Sequence, residues 1–499
     1  MTSAQTDTAP YAKWTLWLIL GLLVVRLTAL VFNPLGLHGD EAQYWAWSKD
    51  LDWGYFTKPP LIAWVIWTTT SIFGDAEWAV RLSSAPLHAL TTGLVFSTAR
   101  KLFDARTGFW AALIYALMPA QWLSSQIVST DVSLLLFYAL ALHGWVHLRD
   151  GATWVRAGQL GLAIGFGMLA KYAMLFFLPA LVVAIVVDKP TRQALVSTKG
   201  ILVFVLAAVL ITPNILWNLN HDFATLSHTA ANANMSDGPS VRIGELVSFF
   251  GDQFGVFGPI SFALLLGALV VGLVGRAGPL VRLLAVFSIT PLLVICVQAF
   301  LSRANANWAV TTYVAGAIVL AFVTLRYWPK IKRWLVVGLA VQAVIGVIAL
   351  GVIQSPKLTD ELGLANSVKR LRAWRQTVEN LEAVVRDGHE GQPYQAVMVD
   401  KRIIYYDLLY YGLPDTVPTY MWKLYQAPEN HAELKAAPPA FDAESGPILF
   451  VNYTDYIDEM REDFERLEPL PALDIDLGGG KRRTLRLWAG YGFTPTTTR

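Results

Sequence analysis

Charge is what this 499-residue chain has least of: Asp, Glu, Lys and Arg together make up 15% of it, against 55% hydrophobic residues. A chain so apolar does not fit a water-soluble globule, and its composition is that of an integral membrane protein. Net charge is scarce as well, at +2, and no overall basic field argues for a nucleic-acid partner. Cysteine is limited to Cys296, inside an apolar run, which excludes an intrachain disulfide. The first ten residues lack the cationic start, brief apolar core and small-residue cleavage site of a signal peptide, so Trp14 to Phe32 reads as a retained span. Internal repeats of about 20 to 50 residues are also missing, which argues against a solenoid or array.

What is present in quantity is long apolar runs. About eleven stretches approach the ~20 helical residues needed to cross hydrocarbon. They are Trp14 to Phe32, Ala79 to Thr98, Gly108 to Leu123, Asp131 to His147, Gly158 to Leu169, Ala173 to Val187, Gly200 to Trp217, Leu246 to Val274, Leu280 to Phe300, Trp308 to Leu325 and Trp334 to Ile353. Basic residues collect in alternate loops: Arg100, Lys101 and Arg106; Arg149 and Arg156; Lys189, Arg192 and Lys199; Arg276 and Arg282; Arg326, Lys330, Lys332 and Arg333. Those loops are expected on the cytoplasmic side. The opposite loops, and the tail after Ile353, are then expected to face outward.

The two regions expected are a transmembrane domain over 1–353 and a small soluble α/β domain over 354–499. In the tail, Ala365 to Arg386 and Ile403 to Tyr411 carry helical signals. Gln395 to Val399 and Ile448 to Asn452 read as strands, and Leu473 to Leu477 with Thr484 to Trp488 as a hairpin turning at Gly478, Gly479 and Gly480. Between Asp50 and Asp75 the chain is aromatic and amphipathic, suited to interfacial helices in the first outer loop.

Ionisable groups beside hydrocarbon cost at least about 2.5 kcal/mol at a helix centre on insertion scales, so the few at span ends need an explanation. The first outer loop, His38 to Pro60, carries adjacent Asp40 and Glu41, Tyr44, several more rings, and Lys58 followed by Pro59 and Pro60. Asp131 and Lys171 are expected at outer span ends, and Arg303, Asn305, Asn307 and Trp308 form a polar outer mouth. Carboxylates, rings and lysines together suit a phosphorylated, carbohydrate-like ligand. Gly161 and Gly165 mark one helix face for close packing, and His221, Asp222 and His228 read first as a solvated loop.

The order Asp40-Glu41, an aromatic tract, Tyr55-Phe56-Thr57-Lys58-Pro59, then Ala79-Val80-Arg81-Leu82-Ser83-Ser84-Ala85 resembles the GT-C glycosyltransferases, in the branch of the aminoarabinose lipid A transferases and protein O-mannosyltransferases. The resemblance is dense over Leu37 to Asp131 and architectural beyond it. It implies a GT-C fold and inverting transfer of one sugar from a polyprenyl phosphate donor to lipid A or another envelope glycolipid. A protein acceptor using the same donor is the alternative, and a transporter a more distant one. It implies Asp40 and Glu41 as catalytic, Lys58, Tyr55 and Arg81 at the donor phosphate, and Tyr44, Asp131, Lys171 and Arg303 at the substrates. Asp40 would act as base toward a hydroxyl acceptor, or only position a phosphate acceptor already ionised at neutral pH. One departure stands out: the aminoarabinose transferases carry Glu before the lysine, where this chain has Thr57. A divalent metal is left open, since Asp40, Glu41 and an outer His offer ligands while the usual carboxylate is replaced.

Overall fold

Each of the eleven apolar stretches is occupied by helix in the computed structural model, which describes residues 9–232, 241–454 and 456–496. In hydrocarbon a backbone must satisfy its own polar groups, and a helix does so within one segment. Part of the outer loop expected over Asn218 to Glu245 lies outside the described residues. Five helices are long and apolar enough to cross a bilayer: Pro10–Val31, Thr130–Asp150, Thr198–Leu219, Pro279–Leu301 and Lys332–Gln354. The number rises to seven if each of two sharply bent pairs counts as one span. The stretch expected as one long span over Leu246 to Val274 is such a pair. It bends by 109° between Ile243–Phe257 and Pro259–Leu273, where Gly258 adopts φ +102° ahead of Pro259.

The chain divides into two compact units. The first comprises 1–32, 53–74 and 78–350. Its interior is aromatic and aliphatic: Trp145 and Phe177 meet Phe287 with ring centroids 4.8 and 4.9 Å apart, and buried Tyr138 donates to the Phe287 carbonyl at 3.0 Å. The Thr312–Arg326 helix is apolar all round and buried along most of its length, as such a helix must be. The small-residue face works as expected. A Cβ on Gly161 would lie 2.7 Å from the Val203 carbonyl, and one on Gly165 would lie 2.6 Å from Leu210, so the Trp154–Ala170 helix seats directly on Thr198–Leu219.

The second unit is assembled from 33–52, 75–77 and 351–499. It holds a five-stranded mixed sheet of β1 (Ala396–Val399), β2 (Thr419–Met421), β3 (Ile448–Asn452), β4 (Phe464–Gly478) and β5 (Lys481–Phe493), in the order β2-β1-β3-β5-β4. The first three strands run parallel and the hairpin pairs antiparallel. Every residue of β3 is buried, the apolar run Ile448 to Val451 followed by polar Asn452. Gly478, Gly479 and Gly480 all sit at positive φ, at or beside the hairpin turn, so their role is conformational. The expected strands of the tail and its Ile403 to Tyr411 helix are present, whereas the Ala365 to Arg386 stretch is divided: short turns over Ala365–Val368 and Lys369–Leu371 precede the Trp374–Asp387 helix, with Ala373 at φ +60° between them. Three-residue β2 is the addition, too short to leave a periodic signal.

Candidate functional site

The Gly39–Lys49 helix carries the acidic pair and belongs to the second unit. Its start is a reciprocal cap. The His38 imidazole accepts from the Asp40 amide at 3.2 Å, and the Glu41 carboxylate accepts from the His38 amide at 2.9 Å. The two carboxylates therefore have different surroundings. Glu41 is 2% exposed and closes the helix start, whereas the Asp40 side chain is 43% exposed and pairs with Arg402, whose Nη1 donates to Asp40 Oδ1 at 3.2 Å. The same nitrogen also donates to Gln43 Oε1. Tyr44 is buried, with its ring centroid 5.3 Å from that of Trp47.

Arg402 reaches Asp40 because two helices come unusually close. The Arg402–Tyr410 helix lies against Gly39–Lys49, and a Cβ on Gly39 would collide with the Ile403 side chain. At the far end of that helix Tyr411 Oη accepts from the Leu37 amide at 2.9 Å, fixing the approach to the cap. Asp407, on the same helix, is fully buried, and among the described residues neither carboxylate oxygen has a hydrogen-bond partner. Burial drives its pKa well above the ordinary carboxylate range; Glu41 and Asp40 push it further, against the opposing pull of Arg483. A carboxyl of this kind binds, in the folded state, a proton that the unfolded chain has released. Its contribution to stability accordingly falls as pH climbs from the usual aspartate range toward the raised value.

The YFTKP segment belongs to the first unit and is built as a pinned loop. The Tyr55 amide donates to the Lys58 carbonyl at 3.1 Å, closing a tight turn that Pro59 and Pro60 then stiffen. The turn is anchored from outside. Asn214 Nδ2 donates to the Trp53 carbonyl and Thr225 Oγ1 to the Tyr55 carbonyl, both at 2.7 Å. Asn214 is itself fixed by the Tyr172 hydroxyl at 2.7 Å, and Asn218 bonds the Asn214 carbonyl and the Thr225 amide. Gly54 permits the fit, since a Cβ there would lie 2.5 Å from the Trp217 ring. Tyr55 and Thr57 are buried and Lys58 is half-buried. Arg81 is buried at the end of the short Glu77–Arg81 helix.

Of the ionisable residues singled out at span ends, Asp131 and Lys171 meet: Lys171 Nζ lies 2.6 Å from Asp131 Oδ1. The other carboxylate oxygen accepts from Asn307 Nδ2 at 2.6 Å. Asp131 opens its helix, where a carboxylate also complements the helix dipole. Arg303 is exposed, and its backbone carbonyl, four residues before Asn307, accepts from Gln298 at 3.4 Å.

For a metal, the donor groups at the acidic pair are already engaged: Glu41 and His38 cap each other's helix turn, and Asp40 pairs with a guanidinium. His221 stacks flat on Trp217 with centroids 4.0 Å apart and bonds its carbonyl. Among the described residues, His389, Glu390 and Glu468 are close enough to share an ion. There Arg466 already pairs with Glu390 at 3.0 Å and Glu468 at 3.3 Å, supplying the positive charge.

Sequence reasoning singled out Asp40, Lys58, Asp131 and Lys171 but missed Arg402, Gln43, Asn214, Asn218, Tyr172 and Thr225. Asn214 and Asn218, one turn apart at the end of an apolar span, were the legible signal for the loop anchor.

Residues 57–217 match the family described as dolichyl-phosphate-mannose-protein mannosyltransferase. Lipid A galacturonosyltransferase RgtD of Rhizobium johnstonii is 37% identical over 318 residues, covering 63% of this chain and 66% of that protein. The undecaprenyl phosphate-alpha-4-amino-4-deoxy-L-arabinose arabinosyl transferase of Pseudomonas paraeruginosa is 31% identical over 182 residues, 32% of this chain and 33% of that one. The chain thus spans from one third to just under two thirds of the length of these relatives. ArnT from Cupriavidus metallidurans bound to undecaprenyl phosphate has the same fold, with a TM-score of 0.65 at 16% identity over 95% of this chain and 98% of that one.

Proposed function

We propose, from its likeness in fold to ArnT and in sequence to a lipid A galacturonosyltransferase, that this chain is an inverting glycosyltransferase moving one uronic acid from a polyprenyl phosphate donor to lipid A. The observation that carries this reading is the YFTKP loop, pinned by the Asn214 and Thr225 side chains, which Tyr172 and Asn218 brace in turn, so that Lys58 is presented from a rigid turn. Rigid presentation of a cation suits a reaction whose leaving group gains charge. The choice of sugar is supported by the galacturonosyltransferase relative, and Thr57 agrees with it by placing a neutral hydroxyl where the aminoarabinose transferases that the motif resembles carry Glu.

In the proposed reaction the acceptor oxygen attacks the anomeric carbon from the face opposite the phosphate. The bond from that carbon to the phosphate oxygen breaks, and the electron pair leaves with polyprenyl phosphate. Lys58 stabilises the charge growing there, with Tyr55 and Arg81 beside the donor. If the acceptor is a hydroxyl, its proton passes to Asp40; if it is a phosphate, Asp40 positions it and no proton moves. Glu41 holds the helix that presents Asp40. Tyr44, Asp131, Lys171 and Arg303 are assigned to substrate contact, Lys171 with Asp131 and Asn307 as one bonded group.

The reaction is assigned to the outer face of the inner membrane because the basic loops alternate with the loops that hold these residues. Protection of the second unit from protease added to spheroplasts would contradict that orientation. The activity itself is tested by mass spectrometry of lipid A from cells with the chain, without it, and with Asp40→Asn in its place. One hexuronosyl unit should appear only with the intact carboxylate. Identical lipid A in all three strains would reject a lipid A acceptor, and would favour the protein acceptors of the matched mannosyltransferase family.

A further inference from the structure

We infer that Arg402 reads an oxyanion of the substrates, either the carboxylate of a uronosyl group or a phosphate monoester of the acceptor, through the edge of its guanidinium that Asp40 and Gln43 leave open. The inference rests on the glycosyl-transfer reading above and specifies what that site selects. Both bonds that Arg402 makes to protein use Nη1. Among the described residues Nη2 and Nε have no acceptor, and together they form one of the two planar forks by which a guanidinium grips a carboxylate or phosphate side-on.

The pair is reachable: the Arg402 side chain is 30% exposed and that of Asp40 43%. An ion pair this open contributes little to stability, so folding alone gives weak reason to place an arginine there. Geometry gives a better one. Asp40, as the reacting carboxylate, repels any anionic group brought beside it, and a neutral sugar needs no help against that repulsion. A uronate or a phosphorylated acceptor does, and Arg402 places fixed positive charge next to Asp40 without withdrawing it from the acceptor. Gln43 holds the guanidinium by a neutral oxygen, so a second anion meets no further local charge of its own sign at that bond. Exposed Lys401 adds another cation at the same helix start.

The test uses the full-length chain reconstituted in nanodiscs with four defined substrate combinations. Donors are polyprenyl phosphates carrying galacturonate or galactose, and acceptors are lipid A with its phosphates or after their enzymatic removal. The quantity read is the ratio of kcat/KM for the anionic over the neutral substrate, in wild type, Arg402→Gln and Arg402→Lys. Arg402→Gln should lower that ratio about 10- to 100-fold, and Arg402→Lys, which keeps the charge without the fork, should fall between. A drop confined to the donor pair assigns the carboxylate, and one confined to the acceptor pair assigns the phosphate. If both variants lose activity equally on anionic and neutral substrates, Arg402 only supports Asp40 and the inference is overturned. Failure of wild type to use any of the donors would instead sink the glycosyl-transfer reading.

Discussion

Asp40→Asn lowers the rate of sugar transfer to a hydroxyl acceptor by about 10²- to 10⁴-fold, the range a positioned general base supplies. The substitution isolates chemistry from folding because the cap does not use the Asp40 carboxylate. It uses the Asp40 amide, the His38 ring and Glu41. An Asn is the same shape, keeps the helix start, and gives up only an exposed ion pair of ~0–1 kcal/mol. Glu41→Gln is the matched control. There the buried cap weakens, and a loss of about 0.5–2 kcal/mol in stability is expected, visible as a lower melting temperature, while activity per folded molecule falls far less. Initial-rate assays and thermal unfolding on the two purified variants measure both effects. Should Asp40→Asn insert, fold and retain full activity, Asp40 is not the reacting carboxylate.

Lys58→Ala lowers the rate of the bond-breaking step by about 10²- to 10³-fold, comparable to removing one fixed donor from a site where charge develops. The loss is expected in the chemical step more than in donor binding, since negative charge on the phosphate oxygen grows as the glycosidic bond breaks. The backbone should be little affected. The turn is closed by the Lys58 carbonyl and stiffened by two prolines, neither of which depends on the ammonium group. Single-turnover release of polyprenyl phosphate under saturating donor separates the two effects. An unchanged single-turnover rate with only weaker donor affinity would move Lys58 from stabilising the leaving group to merely holding the donor.

Much of the chain was legible because the physics is local. Apolar runs become helices in a bilayer whatever their partners, and β3 was readable from the short apolar run Ile448 to Val451. The acidic pair and the YFTKP lysine stood out because charges at span ends are costly and few. What escaped was long-range. Asn214 meets Trp53 across 161 positions and Arg402 meets Asp40 across 362. Neither residue type is conspicuous by itself: an Asn at a span end and an Arg opening a helix both have ordinary local explanations. The division of the Leu246 to Val274 stretch was marked by Gly258-Pro259, though continuous hydrophobicity on both sides outweighed that punctuation in a window-based reading.

Assembly of the second unit from distant pieces has a consequence in time. The Gly39–Lys49 helix is made early, whereas the arginine that pairs with its aspartate is made 362 residues later. At the ~5–20 residues per second of synthesis, the interval is about 20–70 s. For that period Asp40 has left the ribosome without its guanidinium while the intervening apolar helices are still entering the bilayer. The acidic helix is thus among the first parts synthesised and among the last to acquire its native partner, so an elongation block before codon 402 yields a chain that carries Asp40 unpaired by Arg402.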